Sequence, residues 1–530
     1  MNLNWQKGGR IALPVFILLL WAVALPLALE VGQIGYAAGV RIFEAFYTGK
    51  RAEPLFEADE AIIAATATQA PLPPPGLKRD LPSRDTFLSL DEGQRADFAA
   101  QRRELTMLCD SDGTILKWYA SPEPAEVAAL AQQARVGASV SSLFPPREGQ
   151  DALNAVRTAS NTVSPLHEYS VPLHGFPQKY ACAFAVHALK DPAGASTRVM
   201  ASVLDSKYEI MSRKYRANIY RSNRFDFLYP QFRTAEFWTN SRGFRSAEVA
   251  VPKPPGVCRI ICIGGSTTVE GPRNDLTYPS LLERRLREDL QTDRIEVVNC
   301  GVDALDTLGA AERAQDYLAL EPDLIIDYAF VNDRDAVCHI AARSPLSRGA
   351  FLKSWLRRSR FLYARFPSRL LPSPDELTPA IRDFTQAHQR CILAEARKRG
   401  TDLALCSIAY PDFPNLPWRE AWRYDNRYSN VSWGQIDAPM HVRLVETYNA
   451  LAREFCRREG LLYIPVQEEL KGGMECFADI AHLRVPGIQR KADIVFRHVR
   501  EYVAARLAKP TNAADRAASE KASGKERVAP

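Results

Sequence analysis

The sequence predicts an α/β protein built on a parallel sheet, preceded by one transmembrane helix and a smaller α+β domain. Three observations predict this organisation. Residues 11–29 carry no charge, an Asp-Gly turn at 112–113 separates two apolar runs, and five apolar runs alternate with helical patterns between residues 257 and 465. The length of 530 residues fits two or three domains, at roughly 100–200 residues for each domain.

The composition is that of a globular protein, and it excludes several classes of function. Hydrophobic residues make up 46% and charged residues 25% of the chain, which argues against wholesale disorder. The net charge of +6 is small for this length, so nucleic acid is not predicted as a partner. The ten cysteines show neither C-x-x-C nor Cys/His ligand spacing, so a zinc site is not predicted.

The first thirty residues predict a membrane anchor. About twenty apolar residues cross a bilayer as a helix, whereas the apolar core of a signal peptide has about 7–15 residues and ends at a small-x-small cleavage site. No such site follows Leu29 closely, so an uncleaved anchor is favoured over a cleaved signal. Lys7 and Arg10 precede the uncharged stretch. This charge bias predicts a single-pass protein of the cell membrane whose main part is extracytoplasmic.

Changes of composition divide the chain into six segments. A Pro-rich stretch at 71–75 favours extended conformations and indicates a linker. The last segment has no aromatic residue and is predicted to be disordered. The predicted segments are the anchor (1–47), a linker and connecting helix (48–99), a first globular region (100–206), a connector (207–244), a second globular region (245–508) and the tail (509–530).

The first globular region has the pattern of a small α+β domain. Its apolar runs 105–109 and 114–119 flank the turn Asp110-Ser111-Asp112-Gly113, and Asp-Gly between apolar runs is a strong hairpin signal. Helical patterns follow, and then three strand-like runs: Glu168–Leu173, Tyr180–Leu189 and Arg198–Leu204. A hairpin, helices and a three-strand meander together resemble the PAS sensory fold. An unrelated α+β spacer domain is the alternative interpretation.

The second globular region predicts a parallel sheet covered by helices on both faces, because near-continuous apolar strands alternate there with helices. The strand-like runs are Val257–Ile263, Ile295–Asn299, Leu324–Ala329, Leu403–Ile408 and Leu461–Pro465. The helix-like stretches include Pro279–Leu290, Leu308–Leu318, Thr385–Arg399 and Pro439–Arg458. Ligands of such sheets bind at the carboxyl ends of the strands, so functional residues are expected just after each run.

The residues after the strands are those that acyl transfer at an ester requires. Two glycines at 264–265 permit a tight turn before the Ser266 hydroxyl. The residues that follow the first, second, third and fifth runs are Ser266, Gly301, Asn332 and the pair Asp479 and His482. A hydroxyl, a glycine that exposes its backbone, an amide and an Asp/His pair can supply a nucleophile, oxyanion donors, a base and its orienting group.

In this order the residues resemble the SGNH (GDSL-type) hydrolase family. The resemblance covers residues 236–508, and Asn240–Arg245 and Thr277–Pro279 resemble the flanks of membrane-anchored bacterial members. It implies a flavodoxin-like fold and an esterase, lipase or carbohydrate acetylesterase activity without a cofactor. It also implies the roles of the site residues: Ser266, Asp479 and His482 as the catalytic triad, and Ser266, Gly301 and Asn332 as the oxyanion hole.

Two positions depart from the family pattern. Gly265 stands where the family commonly has Asp, and Phe330 stands where a glycine often precedes the asparagine by two residues. A bulky ring at Phe330 would reshape the substrate pocket, so the resemblance does not imply a substrate preference. Asp303 and Asp306 are interpreted as loop or cap residues, and Asp333 as a residue that holds its loop.

The sequence therefore predicts a membrane-anchored serine esterase, with an ester of a cell-envelope glycan or lipid as the candidate substrate. Two alternatives remain: an O-acyltransferase that acts on an envelope polysaccharide, and a non-enzymatic sensor or scaffold. A basic stretch with aromatic residues at Lys353–Leu371 either contacts an anionic lipid or polymer, or forms a helix that covers the sheet. No oligomeric state is predicted.

Overall fold

The computed structural model describes residues 59, 61–62, 65, 84–102, 104–122, 125–159, 164–171, 180–190, 197–205, 214–215, 217–222, 236–343, 372–418, 420–421, 424 and 438–508. The predicted anchor at 11–29, the basic stretch at 353–371 and the predicted tail at 509–530 lie outside these residues. Among the helices that the structure describes, none combines the length and the apolar character needed to cross a bilayer.

The first globular region contains a five-stranded antiparallel sheet with the strand order β2-β1-β5-β4-β3. Its strands are β1 (Glu104–Cys109), β2 (Ile115–Ala120), β3 (Ser164–Val171), β4 (Tyr180–Lys190) and β5 (Thr197–Asp205). The helices of this region are α1 (Glu92–Arg102), α2 (Ala125–Ala131) and α3 (Pro146–Ala159), with 3-10 turns at Arg84–Ser89 and Val140–Leu143.

The hairpin predicted at the start of this region is confirmed. Leu105 of β1 pairs with Ala120 of β2. The turn is stabilised by Asp110, whose carboxylate accepts the backbone N–H of Thr114 at 2.8 Å. Gly113 adopts a φ of 86°, in the left-handed region that favours glycine. The three predicted strands that follow are also present, and the first of them begins four residues before the predicted start.

The second globular region contains a five-stranded sheet, and all of its pairings are parallel. A short antiparallel pair precedes it, formed by β6 (Tyr220–Ser222) and β7 (Glu236–Trp238). The strands of the parallel sheet are β8 (Cys258–Gly264), β9 (Ile295–Asn299), β10 (Leu324–Tyr328), β11 (Asp402–Cys406) and β12 (Leu462–Ile464). The predicted runs are thereby confirmed as strands, with ends that differ by at most two residues.

Helices lie between and after the parallel strands. They are α4 (Ser266–Val269), α5 (Tyr278–Leu290), α6 (Thr307–Glu312), α7 (Ala314–Leu318), α8 (Arg334–Arg343), α9 (Pro374–Ile381), α10 (Ala387–Lys398), α11 (Ala438–Glu459), α12 (Val466–Glu469) and α13 (Val485–Leu507). Three 3-10 turns lie at Asn274–Leu276, Phe330–Asp333 and Phe413–Asn415, and a π turn lies at Arg382–Gln386. The last helix, α13, packs against α5.

The strand order β12-β11-β10-β8-β9 places β8, the first strand of the parallel sheet along the chain, between the edge strand β9 and the central strand β10. Every residue of β8 and β10 is buried, because helices cover both faces of the sheet. The chain leaves β8 toward the edge strand β9 and returns to β10 on the other side of β8. The carboxyl ends of β8 and β10 therefore form the switch point at which open α/β sheets bind ligands.

Two predicted helices differ in the structure. The stretch Leu308–Leu318 forms two helices that meet at Arg313, whose guanidinium is buried against the rings of Phe244 and Tyr317. The stretch Thr385–Arg399 begins inside the π turn. That wider turn contains Thr385, which donates a hydrogen bond to a buried carboxylate of the neighbouring loop. Both changes follow from long-range contacts, which helical periodicity does not record.

Candidate active site

The turn after β8 brings Ser266 to the carboxyl edge of the parallel sheet. Gly264 has a φ of 155°, and a Cβ there would lie 2.7 Å from the carbonyl oxygen of Tyr328. A Cβ on Gly265 would lie 2.2 Å from Nδ2 of Asn332. Both glycines are therefore required by the close approach of this turn to β10. A side chain at Gly265 would therefore displace the amide of Asn332.

Three of the predicted site residues form one hydrogen-bonded chain. Nε2 of His482 lies 2.7 Å from Oγ of Ser266, and Nδ1 of the same ring lies 2.7 Å from Oδ2 of Asp479. The other carboxylate oxygen, Oδ1, accepts the backbone N–H groups of Ala481 and His482 at 2.8 and 2.7 Å. The three-residue spacing of Asp479 and His482 therefore closes a turn that fixes the carboxylate and aims the ring.

The charges of Asp479 and His482 stabilise each other. Burial opposes ionisation of Asp479, but His482 and the two backbone N–H groups outweigh it and hold the pKa of the carboxyl well below its usual range. Burial also opposes the imidazolium, but Asp479, with smaller contributions from Glu270 and Asp303, raises the pKa of His482 to about 9. The neutral ring, which is the form that can accept a proton, therefore becomes the main form only in alkaline solution.

The predicted oxyanion donors have different surroundings. Asn332 lies in the 3-10 turn after β10, and its Nδ2 donates one hydrogen to the carbonyl of Leu305 at 3.0 Å. An amide nitrogen carries two hydrogens, so one remains. The backbone N–H of Ser266 lies at the first residue of α4. These two donors come from neighbouring strands and meet at the switch point.

Gly301 has a packing contact that the sequence did not predict. Its backbone N–H donates to the side-chain oxygen of Asn299 at 3.0 Å, so this N–H already has an acceptor inside the protein. A Cβ on Gly301 would lie 2.8 Å from the backbone nitrogen of Val269 in α4. The glycine is therefore needed to let the loop after β9 pack against α4. Its role as an oxyanion donor stays a prediction.

The loop after β9 also contains a residue that the sequence analysis missed. Ala304 is exposed and has a φ of 59°, in the left-handed region that a non-glycine residue rarely adopts. The next carbonyl, that of Leu305, is the acceptor for Asn332, so this strained turn lies beside the site. Alanine gives no sequence signal for a left-handed turn, unlike glycine or asparagine.

Asp306 and Asp333 have the structural roles that were predicted for them. Asp306 accepts the backbone N–H of Gly309 at 2.8 Å and caps α6. Asp333 is buried and accepts the N–H and the hydroxyl of Thr307 at 2.7 and 2.6 Å, and the hydroxyl of Thr385 at 2.5 Å. These bonds hold the loop that carries Asn332. Burial raises the pKa of Asp333 to about 7.

A second residue that sequence reasoning missed lies in the predicted linker. Asp59 is 1% exposed, and its Oδ2 accepts hydrogen bonds from Nη2 and Nε of Arg484 at 2.6 and 3.0 Å. Arg484 also donates to the carbonyl of Met474 at 2.9 Å. Residue 59 was assigned to a linker, but it is helical and buried against the loop that follows His482. A single acidic residue carries no sequence signal for a contact 425 positions away.

We expect Asp59→Ala to lower the free energy of unfolding of the full chain by about 3 kcal/mol, because it leaves the guanidinium of Arg484 buried without its carboxylate. Urea titration followed by tryptophan fluorescence measures this change. Asp289→Ala is the matched control, since Asp289 forms an exposed pair with Arg500 at 2.6 Å and should change stability far less. Equal effects of the two substitutions would show that Asp59 contributes no buried ion pair.

Comparison with known proteins gives similarity at the level of solved structures. Neither a family model nor the sequence of a curated protein matches this chain. A crystal structure of TesA is 16% identical, with a TM-score of 0.29, over 46% of this chain and 98% of that one. The acetyl xylan esterase AlAXEase is 17% identical, with a TM-score of 0.29, over 46% and 99%. A structure described as a putative lipolytic protein of the G-D-S-L family from Desulfitobacterium hafniense DCB-2 is 14% identical, with a TM-score of 0.28, over 45% and 98%.

Proposed function

We propose that the chain is a serine ester hydrolase of the SGNH type. The observation that carries the proposal is the unbroken hydrogen-bonded chain from Ser266 through His482 to Asp479, with 2.7 Å at both contacts. This hydrogen-bonded chain lies at the carboxyl ends of the neighbouring strands β8 and β10, where open α/β sheets bind ligands. The order of the site residues along the sequence supports the same family.

The geometry supports acyl transfer through a covalent intermediate. Neutral His482 accepts the proton of the Ser266 hydroxyl at Nε2 while Oγ attacks the carbonyl carbon of an ester. The imidazolium then returns this proton to the oxygen of the leaving alcohol, and an acyl-serine remains. Water, activated in the same way, attacks the acyl carbon and releases the acid. Asp479 keeps the second ring proton on Nδ1 and stabilises the imidazolium throughout.

The negative oxygen of the tetrahedral intermediate requires donors at the same edge. The backbone N–H of Ser266 and the second hydrogen of Asn332 Nδ2 are the two donors that the geometry favours. Gly301 would contribute a third only after its N–H leaves the side chain of Asn299. Loss of one such donor typically lowers the rate by about 10²–10³.

Hydrolysis of p-nitrophenyl esters by the full chain tests the proposal. We expect turnover to rise with pH, because the protonated ring of His482 cannot act as a base, and its pKa is raised to about 9. The apparent pKa at which activity rises should therefore lie well above 6.5, the ordinary pKa of histidine. A comparison of acetyl with longer acyl esters measures the acyl preference. Absence of hydrolysis for every acyl length across this pH range would contradict the proposal.

We also propose that residues 11–29 anchor the protein in the cell membrane, with the hydrolase region outside the cytoplasm. The uncharged stretch and the basic residues before it support this topology. Alkaline phosphatase fused after Lys509 should then be active in a bacterial host. An inactive phosphatase together with a fluorescent cytoplasmic-type reporter at the same position would place the hydrolase region in the cytoplasm and remove envelope esters from consideration.

The first globular region is proposed to be a PAS-like accessory domain. Its antiparallel five-stranded sheet, with the helices α2 and α3 between the second and third strands, supports this assignment. Its interior is a separate apolar cluster that includes Met107, Val156 and Phe184.

A further inference from the structure

A second buried carboxylate lies beside the catalytic chain and has no role in the mechanism above. Glu270 directly follows α4, the helix that begins with Ser266, and its side chain is 1% exposed. Oε2 of Glu270 accepts the backbone N–H of Leu483 at 2.8 Å. The residue therefore connects the element that carries the nucleophile to the residue that follows His482.

The counterion of Glu270 is a buried lysine on the last helix. Nζ of Lys491 lies 4.0 Å from Oε1 of Glu270, which has no hydrogen-bond partner. The ammonium donates to the carbonyl of Thr267 at 2.8 Å and lies over the rings of Tyr278 and Tyr328, at 4.2 and 3.4 Å from their centroids. Lys491 thus binds α4 and faces the carboxylate that extends from it.

A buried pair of this kind needs a reason beyond stability. Replacing a buried ion pair with well-packed apolar residues is often neutral or stabilising. Burial raises the pKa of Glu270 to about 7 and lowers that of Lys491 to about 8, so both charged forms are held against a cost of desolvation. The carboxylate of Glu270 places a negative charge near His482 and accepts a hydrogen bond from the loop that contains His482.

The charged groups that face His482 come from three elements. Asp479 lies on the same loop, Glu270 follows α4, and Asp303 lies on the loop after β9. His441 on α11 also faces the ring, but burial lowers its pKa to about 4, and it is neutral in the alkaline range. Glu270 is thus one of the anionic groups that favour the imidazolium, and its own charge depends on Lys491.

We propose that Glu270 is a positioning residue for the catalytic base, with Lys491 as its required counterion. It acts on His482 in two ways: its carboxylate holds the loop through the N–H of Leu483, and its charge stabilises the imidazolium. This inference rests on the proposed function, because it takes His482 as the base.

Glu270→Gln separates the two effects, because glutamine keeps an acceptor for Leu483 but removes the charge. We expect the rise of kcat/KM with pH to move to lower pH by roughly 0.5–1 unit, with kcat at high pH reduced by less than about tenfold. Glu270→Ala removes the acceptor as well and should lower kcat at every pH. Glu270→Gln should restore most of that loss relative to the alanine variant, whereas Glu270→Met, which fills similar space without an acceptor for Leu483, should not.

Lys491→Met tests whether Lys491 is the counterion that keeps Glu270 charged. Without its counterion the buried Glu270 should take up a proton, so the negative charge near His482 is lost. The two substitutions change the charge in opposite directions, yet both should move the pH dependence downward. A direct effect of the lysine charge on His482 would instead move it upward, which would overturn the assigned role of Lys491.

NMR titration of the imidazole groups gives a readout that does not need hydrolysis. The chain has eight histidines, and His482→Gln assigns the signal. A downward shift of the His482 pKa in Glu270→Gln supports the inference even if no ester is cleaved, in which case only the proposed function fails. An unchanged pKa in that variant overturns it.

Glu283→Gln is the matched control. Glu283 on α5 is half-buried, accepts the backbone N–H of Val297 at 2.7 Å and pairs with Arg287 at 3.2 Å. It therefore has the same kinds of contact as Glu270, but none to the His482 loop. Its substitution should leave the His482 pKa unchanged, and a shift equal to that of Glu270→Gln would overturn the inference.

Discussion

Ser266→Ala is expected to abolish ester hydrolysis, with a fall in kcat on the order of 10⁶. The substitution removes the only atom that can form the acyl intermediate, and the remaining oxyanion donors cannot replace it. The fold should persist, because Ser266 is half-buried and its hydroxyl bonds to His482 rather than to the core. Initial rates with a p-nitrophenyl ester, labelling by a fluorophosphonate and circular dichroism measure activity, nucleophile and fold separately.

Ser280→Ala is the matched control for this result. Ser280 is also half-buried in the first turn of a helix, and its hydroxyl accepts a hydrogen bond from Thr277 at 3.2 Å. This hydroxyl bonds to Thr277 rather than to a histidine, so the variant should be labelled and should turn over as the parent does. Labelling that survives in Ser266→Ala, or disappears in Ser280→Ala, would contradict the assignment of the nucleophile.

Asp479→Asn should lower kcat by about 10⁴, although the loop keeps its shape. The asparagine oxygen can still accept the two backbone N–H groups of Ala481 and His482. Its NH₂ group, however, would then face Nδ1 of His482 and donate to it, so that the ring proton moves to Nε2. A ring protonated at Nε2 cannot accept the proton of Ser266, and this wrong tautomer is the reason for the loss.

The same substitution predicts a change in pH dependence. Asp479 is the largest of the groups that raise the pKa of His482. Without this charge the residual activity should rise at lower pH than in the parent. Rate measurements from pH 5 to 10 check both the loss and the shift. Asp327→Asn is the control, because this buried aspartate of β10 binds Gln389 and the N–H of Ala329 instead. An equally large shift of the pH dependence of activity in Asp327→Asn would contradict the role assigned to Asp479.

Local patterns in the sequence determined the elements of the hydrolase region. The strands were predictable because a strand covered on both faces is apolar at successive positions, as the seven buried residues of β8 show. The pair Asp479 and His482 was predicted from its three-residue spacing together with the family resemblance, and its carboxylate contacts backbone groups two and three residues away. Such features depend on neighbours in the chain, so a single sequence records them.

The tertiary structure decided which of these elements meet. Strand order placed β8 between β9 and β10, and the loop before α13 brings His482 to Ser266 across 216 positions. Folding also paired the N–H of Gly301 with Asn299, buried Asp59 against Arg484, and enclosed Glu270 with Lys491. A buried charge is tolerated because of the partner that folding brings to it, and that partner lies on a distant element. The sequence therefore determined the reacting groups and the strands that carry them, whereas folding decided which distant groups hold those residues in place and set their pKa values.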